Sequence, residues 1–380
     1  MPGLLPDVDP DGLLEYSVVY TDRALNHMAA RFQRVMQDLS AGLKQVYRAR
    51  SAVVVPGSGS FGMEAVARQF AHGKKVLVIR NGWFSYRWSQ IFEMGAIPAE
   101  TLVLNARPIE PGPQAAFAPA PIDEVVAAIR TEKPDLVFAP HVETSAGLML
   151  PDAYLRAVAD AVHAHGGLFV LDCVASGAIW VDMQAVGVDV LVSAPQKGWS
   201  STPCAGLVML GDDARARIDG TTSSSFSMDL KKWLGIMETH EQGQIAYHAT
   251  LPTDGLAQLR DAVRETAAFG FDAARAAQAD IGRRVRALLQ ARGIRSVAAP
   301  GFEAPCVIVS YTGRADFQNT RAFAAQGLQI AAGVPLACDE GPDFKTFRIG
   351  LFGLDKLKHP DRTVATFERA LDAALAAPAG

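Results

Sequence analysis

No apolar stretch in this 380-residue chain is long enough to span a bilayer. The opening MPGLLPDVDPDGLLEYS has neither the basic start nor the apolar core of a secretory leader. Dense basic runs are missing and the net charge is −4, which argues against nucleic acid or an anionic membrane as the main partner. Cysteine is scarce: Cys173, Cys204, Cys306 and Cys338 are scattered and form no C-x-x-C pair. In a chain of this size they read as reduced, mostly buried thiols of a cytoplasmic protein. The histidines give no metal pattern, since His163 and His165 at i, i+2 do not share a helical face. There is no internal repeat and no low-complexity segment. What remains is ordinary globular composition, 49% hydrophobic and 20% charged, enough for a large core and two or three domains.

Residues 1–20 read as an extended N-terminal arm. A helix is expected from Thr21, with Leu25, Met28, Phe32, Val35, Met36 and Leu39 on one face and Thr21 or Asp22 as cap. Strands and helices then alternate. Apolar runs predict strands at Ala52–Val55, Lys75–Ile79, Asp135–Ala139, Leu168–Leu171, Asp189–Ser193 and Gly206–Leu210, with helices between them such as Ile122–Thr131 and Asp152–His165. This alternation implies an α/β fold with a mostly parallel sheet flanked by helices, whose ligands bind beyond the carboxyl ends of the strands. A long helical stretch from Ala257 to Ala291 leads out of the sheet. Beyond it the expected pattern is a strand at Cys306–Tyr311, a helix near Asp316–Gln326, strands at Leu328–Ala332 and Thr346–Leu351, and a closing helix from Pro360. The reading is a large domain over 21–270 and a smaller α+β domain over 271–380.

Three features carry chemistry. In VVVPGSGSFG, residues 53–62, a strand breaks into glycines and serines and a helix follows, so free N–H groups and the helix dipole converge on one spot. The spacing Gly57-x-Gly59-x-x-Gly62 matches a dinucleotide fingerprint, but the next strand ends in Arg80 and Asn81 rather than an acidic residue. An NADP-dependent oxidoreductase therefore stays open on Arg80 alone, while a Walker loop is excluded because no Lys-Ser or Lys-Thr follows. Second, Asp172 ends the apolar run FVLD, where a buried carboxylate is costly unless a cation or several donors meet it. Third, Lys197 follows the run DVLVSAPQ, and a desolvated lysine of lowered pKa is what Schiff-base chemistry requires. Taken singly, each has a plainer reading: a tight turn, a cap, a surface lysine. Together they are the set that pyridoxal 5'-phosphate needs, a cradle for its phosphate, a carboxylate for its ring nitrogen and a lysine for its aldehyde.

From about residue 50 to 353 the chain resembles the class V aminotransferases, pyridoxal-phosphate enzymes of fold type I, and in particular their alanine–glyoxylate and serine–pyruvate branch. The resemblance implies that Ser58, Gly59 and Ser60 hold the phosphate. In NGWFSYR, Phe84 takes the position of the aromatic ring stacked on the cofactor, with Trp83 the neighbouring candidate. Thr144 in HVETSAG stands near the phenolic oxygen, Asp172 pairs with the pyridinium, and Gln196 and Lys197 form the pair containing the Schiff-base lysine. Tyr247 and Thr250 in AYHATLP reach the other subunit's phosphate across a homodimer interface, and Arg348 in FRIGLFG grips the substrate carboxylate. His141 and His248 receive no role. This chain departs from the pattern at Ser60, where relatives carry histidine, at Trp199, whose bulk is expected to narrow the substrate site, and in the long loop AAGVPLACDEGPDFK before Arg348. The implied activity is transamination of a small amino acid, alanine or serine, with glyoxylate or pyruvate. The alternatives are 2-aminoethylphosphonate as donor, and a desulfurase or lyase using Cys338, ten residues before Arg348.

Overall fold

The computed structural model describes residues 13–378. Every apolar run that reads as a strand between residues 51 and 210 is one, and each is buried along nearly its whole length. They are β1 (Ser51–Pro56), β2 (Lys75–Arg80), β4 (Leu136–Pro140), β5 (Leu168–Asp172), β6 (Val190–Ser193) and β7 (Ala205–Leu210). A seventh strand, β3 (Glu100–Asn105), was not expected. It sits at the sheet edge, paired with β2 alone, and its polar ends Glu100 and Asn105 break the apolar signal.

The sheet order is β1-β7-β6-β5-β4-β2-β3. All neighbours pair in parallel except β7, which runs antiparallel to both β1 and β6. Strand β1 therefore points the same way as β6, and the carboxyl ends of six strands share one edge. Helices α1 (Ala30–Tyr47), α2 (Gly59–Phe70), α3 (Trp83–Gly95), α4 (Ile122–Glu132) and α5 (Asp152–His163) pack around it. Helix α2 approaches β7 backbone to backbone: a Cβ on Gly206 would lie 2.7 Å from Gly62 Cα. Only glycine allows that distance.

The first helix begins at Ala30, not at Thr21. Asn26 is the reason. Its Oδ1 accepts the Met28 N–H at 2.8 Å, a local turn that competes with helix, and its Nδ2 donates to Glu15 at 2.7 Å. Met28 is consequently exposed, while Leu25, Phe32, Val35, Met36 and Leu39 are buried as expected. Of the expected arm, residues 13–20 lack regular structure and residues 1–12 lie outside the described part.

The predicted long helix is two: α6 (Leu230–Glu241) is followed by α7 (Thr253–Phe269) and α8 (Phe271–Ala291), separated at Gly270, whose φ of 99° ends one helix and opens the next. A second sheet follows, β8 (Val307–Tyr311), β9 (Ala331–Ala332) and β10 (Thr346–Gly350), in the order β8-β10-β9 and antiparallel throughout. Between β8 and β9 the expected single helix is split into two four-residue helices by Thr320 at φ 71°. The closing helix α9 (Pro360–Ala376) packs on α8.

Candidate active site

The shared carboxyl edge of the sheet gathers the chemistry-bearing residues. A cavity of about 230 Å³ opens there, walled by Ser58, Gly59 and Ser60 after β1, Phe84 after β2, and Thr144 after β4. Asp172 at the end of β5 and Gln196 and Lys197 after β6 complete it. Eight residues far apart in sequence are thus brought to one place, because each follows a strand that points toward the same edge.

The turn between β1 and α2 depends on Gly57, at φ 124°, where a Cβ would strike the Phe61 ring at 2.7 Å. Ser58 is the N-cap of α2, yet its hydroxyl makes no capping bond. The first-turn N–H groups of α2 have no partner within the helix, and the residues at that end, Ser58, Gly59 and Ser60, line the cavity. Such an end attracts an anion.

Asp172 is buried. Its Oδ1 accepts the Val174 N–H at 2.9 Å, and among the described residues its carboxylate has no other hydrogen bond. Burial raises its pKa to about 6, against the pull of that bond and of the Lys197 and Arg87 charges. Lys197 is held by a tight turn, with Ser200 N–H donating to its carbonyl at 3.0 Å and Ser201 N–H to Pro195 O at 3.1 Å. Its ammonium lies between two rings, 5.9 Å from the Phe84 centroid and 5.5 Å from that of Phe352. Desolvation lowers its pKa, and Asp172 opposes the shift. The pair therefore has the character of a carboxylate lacking a cation and an amine inclined to be neutral.

Phe84, not Trp83, lines the cavity; Trp83 packs against Tyr86 with centroids 5.6 Å apart and the rings tilted by 53°. Arg348 on β10 lies outside the cavity wall, with its guanidinium carbon 5.5 Å from the Phe84 centroid and its Nε donating to Ala332 O at 2.8 Å. Tyr247 and Thr250 are not in the cavity of their own chain. They sit in an exposed loop, hydroxyl to hydroxyl at 3.2 Å. Trp199 does not narrow the site, contrary to expectation. It is fully buried against Tyr47, Trp180 and Phe271 and lines no part of the cavity. The Cys338 thiol is buried beside Arg80 O, and desolvation pushes its pKa up to about 12, the opposite of an activated nucleophile. Arg80 itself is engaged with Ser89 at 2.9 Å, with Ala337 O and with the Tyr86 ring.

Two residues escaped the sequence reading. Arg87 lines the cavity and donates from Nη1 to Ser60 Oγ at 2.9 Å. Glu143 is fully buried in the loop that carries Thr144, and its two oxygens accept the N–H groups of Phe84, Ser85 and Ser145 and both serine hydroxyls. It thereby fixes the start of α3, and with it Phe84, to the end of β4. A glutamate in the motif HVETSAG was the visible signal, but its partners on α3 lie 58 and 59 residues away in the chain.

The family model described as aminotransferase class-V matches residues 13–340, so the match ends just before Arg348. Among characterised proteins, the alanine–glyoxylate aminotransferase of Callithrix jacchus is 27% identical over 340 residues, 87% of this chain and 77% of its own. The 2-aminoethylphosphonate–pyruvate transaminase 2 of Paraburkholderia xenovorans is 31% identical over 336 residues, 85% of this chain and 84% of its own. Among solved structures, an alanine–glyoxylate aminotransferase from Nostoc sp. superposes with a TM-score of 0.78 at 21% identity, covering 93% of this chain and 89% of that one. The chain belongs to the class V aminotransferase family.

Proposed function

We propose that this class V aminotransferase exchanges an amino group between alanine or serine and glyoxylate or pyruvate, with pyridoxal 5'-phosphate held in the cavity at the sheet edge. The observation that carries this reading is the convergence of Lys197, Asp172 and the Ser58–Ser60 turn on one cavity. The residues fit the cofactor's three ends. The turn offers unpaired N–H groups and a free serine hydroxyl to a phosphate. Asp172 offers a buried carboxylate with an open oxygen to a protonated ring nitrogen. Lys197 offers an amine of lowered pKa to an aldehyde.

Bound there, the cofactor supplies an electron sink for the charge that develops at the substrate's Cα. This chain's residues do the rest. Lys197 Nζ takes the Cα proton as general base and returns it as general acid, a task suited to an amine whose charged form burial disfavours. Asp172 keeps its negative charge against the ring nitrogen and so holds a proton there. Arg348 binds the substrate carboxylate with its terminal nitrogens, since Nε is already engaged with Ala332 O. Phe84 supplies the flat apolar wall between them. We further infer a cytoplasmic homodimer in which Tyr247 and Thr250 reach the partner's phosphate. The exposed Tyr247, Ile245 and Phe226 support such an interface, and four free cysteines support a reducing compartment. The break at Gly270 supports a division there into a large and a small domain.

A second reading, 2-aminoethylphosphonate as the donor, is favoured by the likeness to the Paraburkholderia enzyme. One experiment separates the readings. The yellow purified protein is mixed with alanine, serine, 2-aminoethylphosphonate or cysteine, and the visible absorbance is followed. Alanine or serine bleaches it on the first reading, and the phosphonate on the second. Bleaching by none of them, or sulfide release from cysteine that is lost in Cys338→Ser, contradicts both.

A further inference from the structure

Arg87 is the cation that the reaction leaves without a task. It lies one helical turn after Phe84 on α3, its guanidinium carbon 5.3 Å from that ring's centroid. Its Nη1 bond to Ser60 Oγ at 2.9 Å draws it onto the wall formed by the β1–α2 turn. Among the described residues it forms no ion pair, and a serine hydroxyl does not offset a full positive charge. Asp172 on the same cavity feels its charge but does not bond it, and a half-buried guanidinium in this state favours a bonded anion. The start of α2 on the same wall favours one too, but a helix end supplies only about half a charge, whereas a phosphate monoester carries roughly two negative charges.

We propose that Arg87 is a phosphate-binding residue, steered by Ser60 to neutralise the cofactor's phosphate beside the N-terminus of α2. This rests on the pyridoxal-phosphate reading above. The competing role for Arg87 is a grip on the substrate. It is disfavoured because Arg348 already stands 5.5 Å from the Phe84 centroid, its terminal nitrogens making no hydrogen bond among the described residues.

The test compares pyridoxal phosphate with pyridoxal, which lacks the phosphate, by titrating cofactor-free protein and following fluorescence quenching. Arg87→Gln should weaken pyridoxal phosphate binding by about 10- to 100-fold, the loss expected for a charge-assisted bond, and leave pyridoxal binding within about twofold. Arg87→Lys should recover part of the affinity. Circular dichroism identifies a variant that fails to fold, in which case Ser60→Ala, which frees the guanidinium from its anchor, should show the same selective loss on a smaller scale. Three results overturn the proposal: unchanged affinity for pyridoxal phosphate, equal loss for both forms, or a raised KM for the amino donor with cofactor affinity intact. If the unmodified protein binds neither form, the cofactor reading itself fails, and this inference with it.

Discussion

Asp172 is held in a state that costs the cofactor-free protein stability. Its pKa rises from an ordinary 3.8 to about 6, a difference worth about 3 kcal/mol. The unfolded chain releases this proton first, so the group's contribution falls as pH rises from about 4 to about 6 and is constant above that. For cofactor-free protein, Asp172→Asn should therefore gain stability relative to wild type across that window, by up to about 3 kcal/mol, while losing most of its transaminase activity. Urea denaturation at stepped pH checks the first part, and a difference that does not vary with pH would contradict it. Asp172 and Lys197 were legible in the sequence because each ends an apolar run, where a charged residue stands out. Arg87 was not, since nothing in NGWFSYR distinguishes a surface arginine from one drawn to Ser60, 27 residues earlier. Trp199 misled for a related reason: closeness in sequence to Lys197 does not fix which way a side chain points.

At the scale of elements, the site depends on how firmly α3 is tied to the end of β4, and Glu143 makes that connection. Glu143→Ala would leave three backbone N–H groups and two serine hydroxyls without their buried acceptor. The expected cost is about 3 kcal/mol or more in unfolding free energy, with weaker cofactor binding because Phe84 moves with the helix. Thermal melting and cofactor titration measure the two effects, and a variant as stable as wild type would show that water replaces the carboxylate. The buried strands were legible because a sheet covered on both faces demands continuous apolar runs. The edge strand β3 was not, since edge pairing leaves polar positions that resemble loop, and the strand expected at Leu328–Ala332 shrinks to the two residues Ala331–Ala332. Helix ends failed where a local turn outcompetes the helix, at Asn26, or where one glycine divides a continuous apolar stripe, at Gly270.

For the whole molecule, the proposed homodimer assigns the exposed Tyr247 and Thr250 to a site that two chains build together. Mixing Lys197→Ala with a Tyr247→Phe, Thr250→Ala double variant under conditions that exchange subunits should restore activity. Each hybrid dimer then contains one site with an intact lysine and intact partner hydroxyls. No recovery would mean that these hydroxyls serve their own subunit or none. The large sheet, the smaller one and the order of the site residues could all be read from the chain. The homodimer is implied by the family resemblance alone, because an interface residue carries no sequence mark that separates it from any exposed aromatic. The account rests above all on the side chain to which the cofactor is fixed. Borohydride reduction of the cofactor-loaded protein, followed by peptide mass spectrometry, locates it. The predicted result is a single pyridoxyl modification on the peptide containing Lys197, and a modification on another lysine, or none, would contradict the account.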